Sequence, residues 1–238
     1  MTLDLARTVA DAVLYEGYLL YPYRATSAKN QARWQFGVLG PPGAAAAGLG
    51  EESTMSVECL LSRADETAHR DHLPQSTVTA YLRFLQLQHR GLECLDPADP
   101  NRYVPTSELQ LDDDLLLSWD EAVDHELSWP AWTFDELAAG VRQTVIIPGH
   151  EQVEPLTGSD GCTVGRVVRR RWPLSAVLTA ETTELDGYLR LSVTVENTAP
   201  KALQTKDDAV RRSLLGAHLL LEASGTGFVS LLEPPDAA

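Results

Sequence analysis

Imidazoles, thiols and carboxylates are the side chains that hold metals and move protons, and this chain spreads them thinly. The closest imidazole pair is His69-Arg-Asp-His72. Zinc accepts such ligands, but the run lacks the helical His-Glu-x-x-His form, and no cysteine pair stands at ligand spacing. A metal-handling or enzymatic site would have to be assembled by the fold from dispersed residues such as His69, His72, His89 and Cys94. Nucleophilic chemistry has no better footing. There is no Gly-x-Ser-x-Gly elbow, and Cys59 falls on the apolar phase of a strand, where a thiol is buried and inert. Cys94 and Cys162 stand in polar or glycine-rich surroundings without an adjacent base.

The run Gly158-Ser-Asp-Gly-Cys-Thr-Val-Gly165 lacks the Gly-Lys-Ser/Thr of a phosphate loop and reads as a connection between strands. Asp112-Asp113-Asp114, with Glu108 and Asp120, does not have the alternating ligand spacing of a calcium loop and reads as a solvated acidic patch. Arg166, Arg169, Arg170 and Arg171 form the main basic cluster. They would pair with the acidic stretch inside the fold or with an acidic patch on another subunit. The residues thus nominate no catalytic group, no metal site and no cofactor.

A contact surface is better supported. Four of the seven tyrosines, Tyr15, Tyr18, Tyr21 and Tyr23, fall within nine residues. Arg24, Lys29 and Trp34 follow closely. Tyr, Trp and Arg dominate binding hot spots, so Tyr18, Tyr21, Tyr23, Arg24, Lys29 and Trp34 are the expected partner-binding residues.

The 238 residues carry a formal net charge of −15, from 34 acidic against 19 basic side chains. That field repels a phosphate backbone, so nucleic acid is excluded as a partner. No window approaches the roughly 18 consecutive apolar residues of a membrane span. The odd, widely separated cysteines and the absence of a basic, apolar leader at the N-terminus point to a cytoplasmic protein.

Several elements are legible. Leu5, Val9, Ala12 and Val13 recur at helical spacing, predicting an amphipathic helix over about 3–15 with that face inward. Strands are expected at 34–38, at 55–61 and along 76–92, where the apolar phase shifts near Phe84 and Leu85 as a bulge or a change of buried face would cause. Gly40 to Ser53 is breaker-rich and reads as a flexible loop. Between Arg102 and Arg142 stand ten acidic residues and neither lysine nor arginine. Trp119, Val123 and Leu127 alternate there with Asp120, Asp124 and Glu126, a strand with one acidic face. Asp186-Gly187 is a two-residue hairpin signal, and its register sets Leu178 opposite Val195 and Ala180 opposite Val193. A helix is expected from Asp207 or Asp208, turning Val210, Leu214, Leu215, His218 and Leu221 inward and ending near Gly225. A closing strand is expected at 228–232. The sum is one mainly β (α+β) domain over 1–238, with a candidate internal boundary near 100–110. Its architecture is an antiparallel β-sandwich or curved sheet with an N-terminal helix and a helix near the C-terminus.

Across the run Val13 to Ala25, then Lys29-Asn30, Arg33 to Val38, Ser76 to Gln88, Val195-Glu-Asn-Thr198, Arg212 to Leu221 and Phe228 to Pro235, the chain resembles an uncharacterised, chiefly actinobacterial protein family. Its genes often sit among those for a nickel–iron hydrogenase and its accessory proteins. The resemblance implies an assembly or maturation role, with a hydrogenase subunit or maturation factor as partner. It also implies that the chain corresponds to the N-terminal part of a longer protein. The function expected is that of a non-catalytic protein-binding accessory module. The alternatives are the dispersed His/Cys site and a structural subunit of a larger complex.

Overall fold

Asp186 and Gly187 both hold positive φ, 44° and 86°. That is the backbone twist a two-residue turn needs to join two right-twisted strands. The turn links Leu174–Leu185 to Tyr188–Asn197, and the register is the one expected, Leu178 opposite Val195 and Ala180 opposite Val193. From this hairpin the rest of the computed structural model, which describes residues 3–15, 37–62, 76–200, 204–230 and 232, can be built outward.

In chain order the elements begin with helix α1 (Leu3–Tyr15) and strands β1 (Thr54–Ser62), β2 (Thr77–Asp96) and β3 (Asp99–Thr106). Strands β4 (Glu108–Leu111), β5 (Asp114–Leu117), β6 (Trp119–Ser128) and β7 (Trp132–Thr133) lead to a short helix α2 (Phe134–Ala139). Next come β8 (Val141–Ile147), β9 (His150–Thr157) and β10 (Thr163–Arg171), then the hairpin strands β11 and β12. Helix α3 (Lys206–Val210) and strand β13 (Leu215–Ser224) complete the order.

One antiparallel sheet runs β1-β12-β11-β8. The second is organised around β2, whose twenty residues pair along both edges. Residues 81–85 pair at once with β13 and β6, 88–90 with β10 and β6, and 92–94 with β10 and β3. One edge therefore carries β13 and then β10, and the other carries β7, β6 and then β3. Strand β9 extends the sheet beyond β10, and β4 and β5 form a separate hairpin.

The main core lies between the sheets. Val78, Ala80, Leu82 and Phe84 of β2 meet Leu174, Ala176 and Leu178 of β11 and Leu191, Val193 and Val195 of β12. Alternation sends the odd residues of β2 outward, where Leu85 and Leu87 pack with Leu14 of α1 and Leu215. Both faces of β2 are thus covered between Leu82 and Leu87, which is the shift of apolar phase visible in the sequence. The bulge is there too, on the partner strand: Leu215 stands opposite Leu85 but His218 opposite Arg83.

That bulge explains a correction. The helix expected from Asp207 or Asp208 to near Gly225 is only Lys206–Val210, and Leu215–Ser224 is a strand. Gly216, at φ 59°, and Ala217 share the place opposite Phe84. One extra residue sets Leu214 and Ala217 three apart on the inner face and Leu215 and His218 three apart on the outer, which breaks period two and imitates a helical spacing. The face of α1 is corrected as well. Leu5 and Val9 are 52% and 57% exposed, whereas Ala10 and Leu14 are buried. The cause is Arg83, buried on the outer face of β2. It needs carboxylates, and α1 turns Asp11 onto it while Arg7 bonds Glu126 at 2.7 Å. At the C-terminal end Phe228 forms a single bridge to Leu61 in place of the expected strand. Of the strand expected at 34–38, residues 34–36 lie outside the described residues; Leu39 forms a bridge with Leu214.

Unfolding in urea tests this arrangement. Leu82→Ala and Leu14→Ala should each cost about 2–5 kcal/mol, the usual range for a fully buried leucine. Val9→Ser should stay within about 0.5 kcal/mol, as an exposed position would.

Candidate functional site

Beyond Phe84 the inner face of β2 changes character. Gln86, Gln88 and Arg90 replace the apolar residues, before Leu92 and Cys94 join a second small core with Leu109, Val167 and Leu156. Gln86 is 1% exposed and fully engaged. Its Nε2 donates to the Trp172 carbonyl at 2.8 Å, and its Oε1 accepts from His125 Nε2 at 3.0 Å. His125 stacks on Phe84, with ring centroids 5.2 Å apart. Burial, and after it the charge of Arg171, push this imidazole below its ordinary range. A neutral ring with an N–H aimed at the amide is the outcome. The relay fixes the backbone where Trp172 leaves β10.

Trp172 turns to the other side of the sheet, and there the outer face of the far half of β2 is open. Pairing lays it out in rows. Gly91, Val168 and Val153 form a small apolar row. On one side of it lie His89, Arg170 and Glu151, and on the other Pro105, Glu93, Arg166 and Pro155. A groove of about 260 Å³ is lined here by His89, Gly91, Glu93, Arg170, Trp172 and Arg211, among others. Drug-sized sites span roughly 300–1,000 Å³, so this groove suits a single side chain or a small ion. Gly91 is its floor, because a Cβ there would stand 3.2 Å from His89 Nε2.

The groove and the rows beside it are preorganised. Arg211 lies over the Trp172 ring at 4.6 Å and Arg166 over Tyr103 at 4.2 Å. Arg166 also bonds Glu93 at 2.6 Å, and Arg170 pairs with Glu151. His89 Nδ1 lies 2.7 Å from Asp120, so Nε2 is the nitrogen left to the groove. Arg211 closes α3, next to Arg212, whose carbonyl accepts from the fully buried Asn197. Among the described residues neither Arg211 nor His89 Nε2 has a carboxylate or amide partner of its own.

The residues expected to form the site are placed unevenly. Tyr18, Tyr21, Tyr23, Arg24, Lys29 and Trp34 lie outside the described residues, as do His69 and His72. His89 and Cys94 sit on opposite faces of β2, since one is odd and the other even in the strand, so the fold does not bring that pair together. Burial raises the Cys59 thiol, in keeping with its place on the core side of β1. Asp112 is a turn residue at φ 50°, and its carboxylate accepts from the backbone and hydroxyl of Ser159. Gly158 to Cys162 is the connection between β9 and β10. Of the arginine cluster, Arg169 pairs with Glu121 of the acidic stretch and with Glu154, while Arg166 and Arg170 find Glu93 and Glu151 outside it.

Gly91, Gln86, Trp172 and Arg211 escaped the sequence reading. The signals were a glycine inside a strand, which often marks close approach of another group, and a glutamine interrupting an apolar run. Comparison with protein-family models, curated proteins and solved structures finds no match for this chain. Among the described residues no helix is long and apolar enough to cross a membrane.

The depressed His125 imidazole has a measurable consequence. Folding weakens its hold on a proton, so the unfolded chain binds more protons between the lowered value and the ordinary 6.5. Its contribution to stability is complete above that ordinary value and is lost as pH falls through the lowered one. The urea midpoint should therefore drop between about pH 7.5 and about pH 5.5, and drop less in His125→Gln.

Proposed function

We propose that this chain is a non-catalytic protein-binding module, an accessory factor that docks on a larger assembly through the outer face of the far half of the second sheet. The observation that supports the reading is the pair of arginines stacked on aromatic rings on one sheet face, Arg211 on Trp172 in the groove and Arg166 on Tyr103 in the rows beside it. Tyr, Trp and Arg anchor most hot spots, and side chains already held in place lose little entropy when a partner arrives. The hydroxyls that line the groove are engaged elsewhere. Ser118 donates to the Thr106 carbonyl and accepts from the Leu92 amide, and Thr106 donates to Glu108.

The tyrosine segment belongs to the same proposal. Leu14 and Val38, described residues on either side of 16–36, pack in one cluster with Trp172. The partner class in this reading is a hydrogenase subunit or maturation factor in the cytoplasm, as the family resemblance implies. A second reading, an enzyme, is favoured by one observation: the His89–Asp120 pair faces the groove in the manner of a general base.

Surface plasmon resonance on the immobilised chain, with purified hydrogenase subunits and maturation factors passed over it, tests the first reading. One of them should bind, and Trp172→Ala or Arg211→Ala should weaken binding at least tenfold, about 1.4 kcal/mol, with circular dichroism unchanged. Binding that ignores both substitutions would remove this surface, and no binding at all would remove the partner class.

A further inference from the structure

We infer that the groove over Gly91 is a carboxylate-binding site that takes one Asp or Glu side chain of the bound partner, held between Arg211 and His89. The inference rests on the binding-module reading and names the chemistry the partner must present.

Three observations carry it. The first is the pair of donors without protein acceptors. Arg211 is held flat against Trp172 and, among the described residues, has no carboxylate of its own. His89 is oriented through Nδ1 by Asp120, leaving Nε2 over the groove floor. A guanidinium is a rigid fork whose geometry matches a carboxylate, and with Nδ1 on Asp120 the Nε2 nitrogen is a second donor whenever the ring carries both protons.

The second is shape. Gly91 interrupts a strand whose neighbours are large, and the missing side chain makes the hollow. At about 260 Å³ it holds one acidic side chain but no cofactor. The row Gly91, Val168 and Val153 offers the methylenes of such a side chain an apolar bed, with Val168 itself 8% exposed.

The third is charge, which separates a carboxylate from a phosphate. Arg170 is tied to Glu151, Arg166 to Glu93 and His89 to Asp120, which leaves Arg211 as the one excess positive charge at the groove. A singly charged group is matched by that balance, and a phosphate dianion would meet Glu93 with too little compensation. The donors also decide between two carboxylate sources. Capture of a chain terminus uses a nest of backbone N–H groups, whereas the β2 and β10 amides here belong to sheet ladders and only side chains are offered.

The test is an NMR titration of the full chain, observing the His89 ring nitrogens and the Arg211 guanidinium. Three probes are used: acetyl-Gly-Asp-Gly-amide, acetyl-Gly-Gly-Gly with a free C-terminus, and inorganic phosphate. The aspartyl peptide should shift both groups saturably at millimolar concentration. Arg211→Gln should weaken it at least fivefold, and Gly91→Val should abolish it. If Gly91→Val loses its dispersed core methyl signals, Arg211→Gln alone decides. Absence of saturable shifts, equal affinity in Arg211→Gln, tighter binding of phosphate, or equal binding of the free C-terminus would each overturn the assignment. If the peptide fails while Trp172→Ala still breaks a partner complex, the carboxylate site falls and the binding module stands. If no hydrogenase component binds but the peptide does, that partner class falls and the carboxylate site stands.

Discussion

Everything in this fold hangs on the pairing of β2 along both of its edges. At roughly 3.3 Å per residue its twenty residues reach about 65 Å, against about 40 Å for the twelve of β11 and about 33 Å for the ten of β12. A sandwich partner that short cannot cover it. From Leu82 to Leu87 β2 is buried on both faces, by the first sheet on one side and by Leu14 of α1 and Leu215 on the other. The far half overhangs and must find other cover. The β4–β5 hairpin supplies it on the inner face, where Leu109, Leu111 and Leu116 meet Leu92 and Val167. The outer face of the overhang carries the groove. Geometry that stabilises the domain thus also creates its accessible surface, on a rigid strand with a backbone fixed from both edges.

Polar residues manage the seam between the halves. Gln86 is buried where the main core ends, and it stays there because every one of its groups that matters is spoken for by His125 and the Trp172 carbonyl. An amide buried without partners would cost on the order of 1–3 kcal/mol. With them it becomes a strut between core and rim. On the outer face Arg83 plays a comparable part for α1. A buried guanidinium demands carboxylates, and the helix orientation that provides Asp11 leaves Leu5 and Val9 in solvent. Here the electrostatic demand of one residue outweighs the burial of two aliphatic side chains, because an unpaired charge in the interior costs more than either would return.

How much of this could be read from the chain follows from how local each determinant is. The Asp186-Gly187 hairpin was legible to the residue pair, since the turn fixes the register and both strands alternate without interruption. The strands at 54–62 and 119–128, the acidic face of the latter and the antiparallel sandwich itself rest on the same period-two signal. The C-terminal strand was not legible, because the bulge at Gly216 and Ala217 inserts one residue and counterfeits a helical period. The inward face of α1 was misread because hydrophobicity alone ranks Leu5 and Val9 above Asp11, and nothing local announces a buried arginine 72 residues away. The groove was invisible for the same reason. Gly91, Trp172 and Arg211 meet only through the pairing of β2 with β10 and the packing of α3, although the glycine within a strand was a usable hint.

Amide hydrogen exchange along β2 tests the central claim most directly, that one continuous strand carries both the sandwich and the exposed groove. If it does, the amides from Val78 to Cys94 should share the slowest class of exchange, protected near the global unfolding limit, with no step at Gln86. A far half that exchanges orders of magnitude faster than residues 78–85, by local opening, would contradict it.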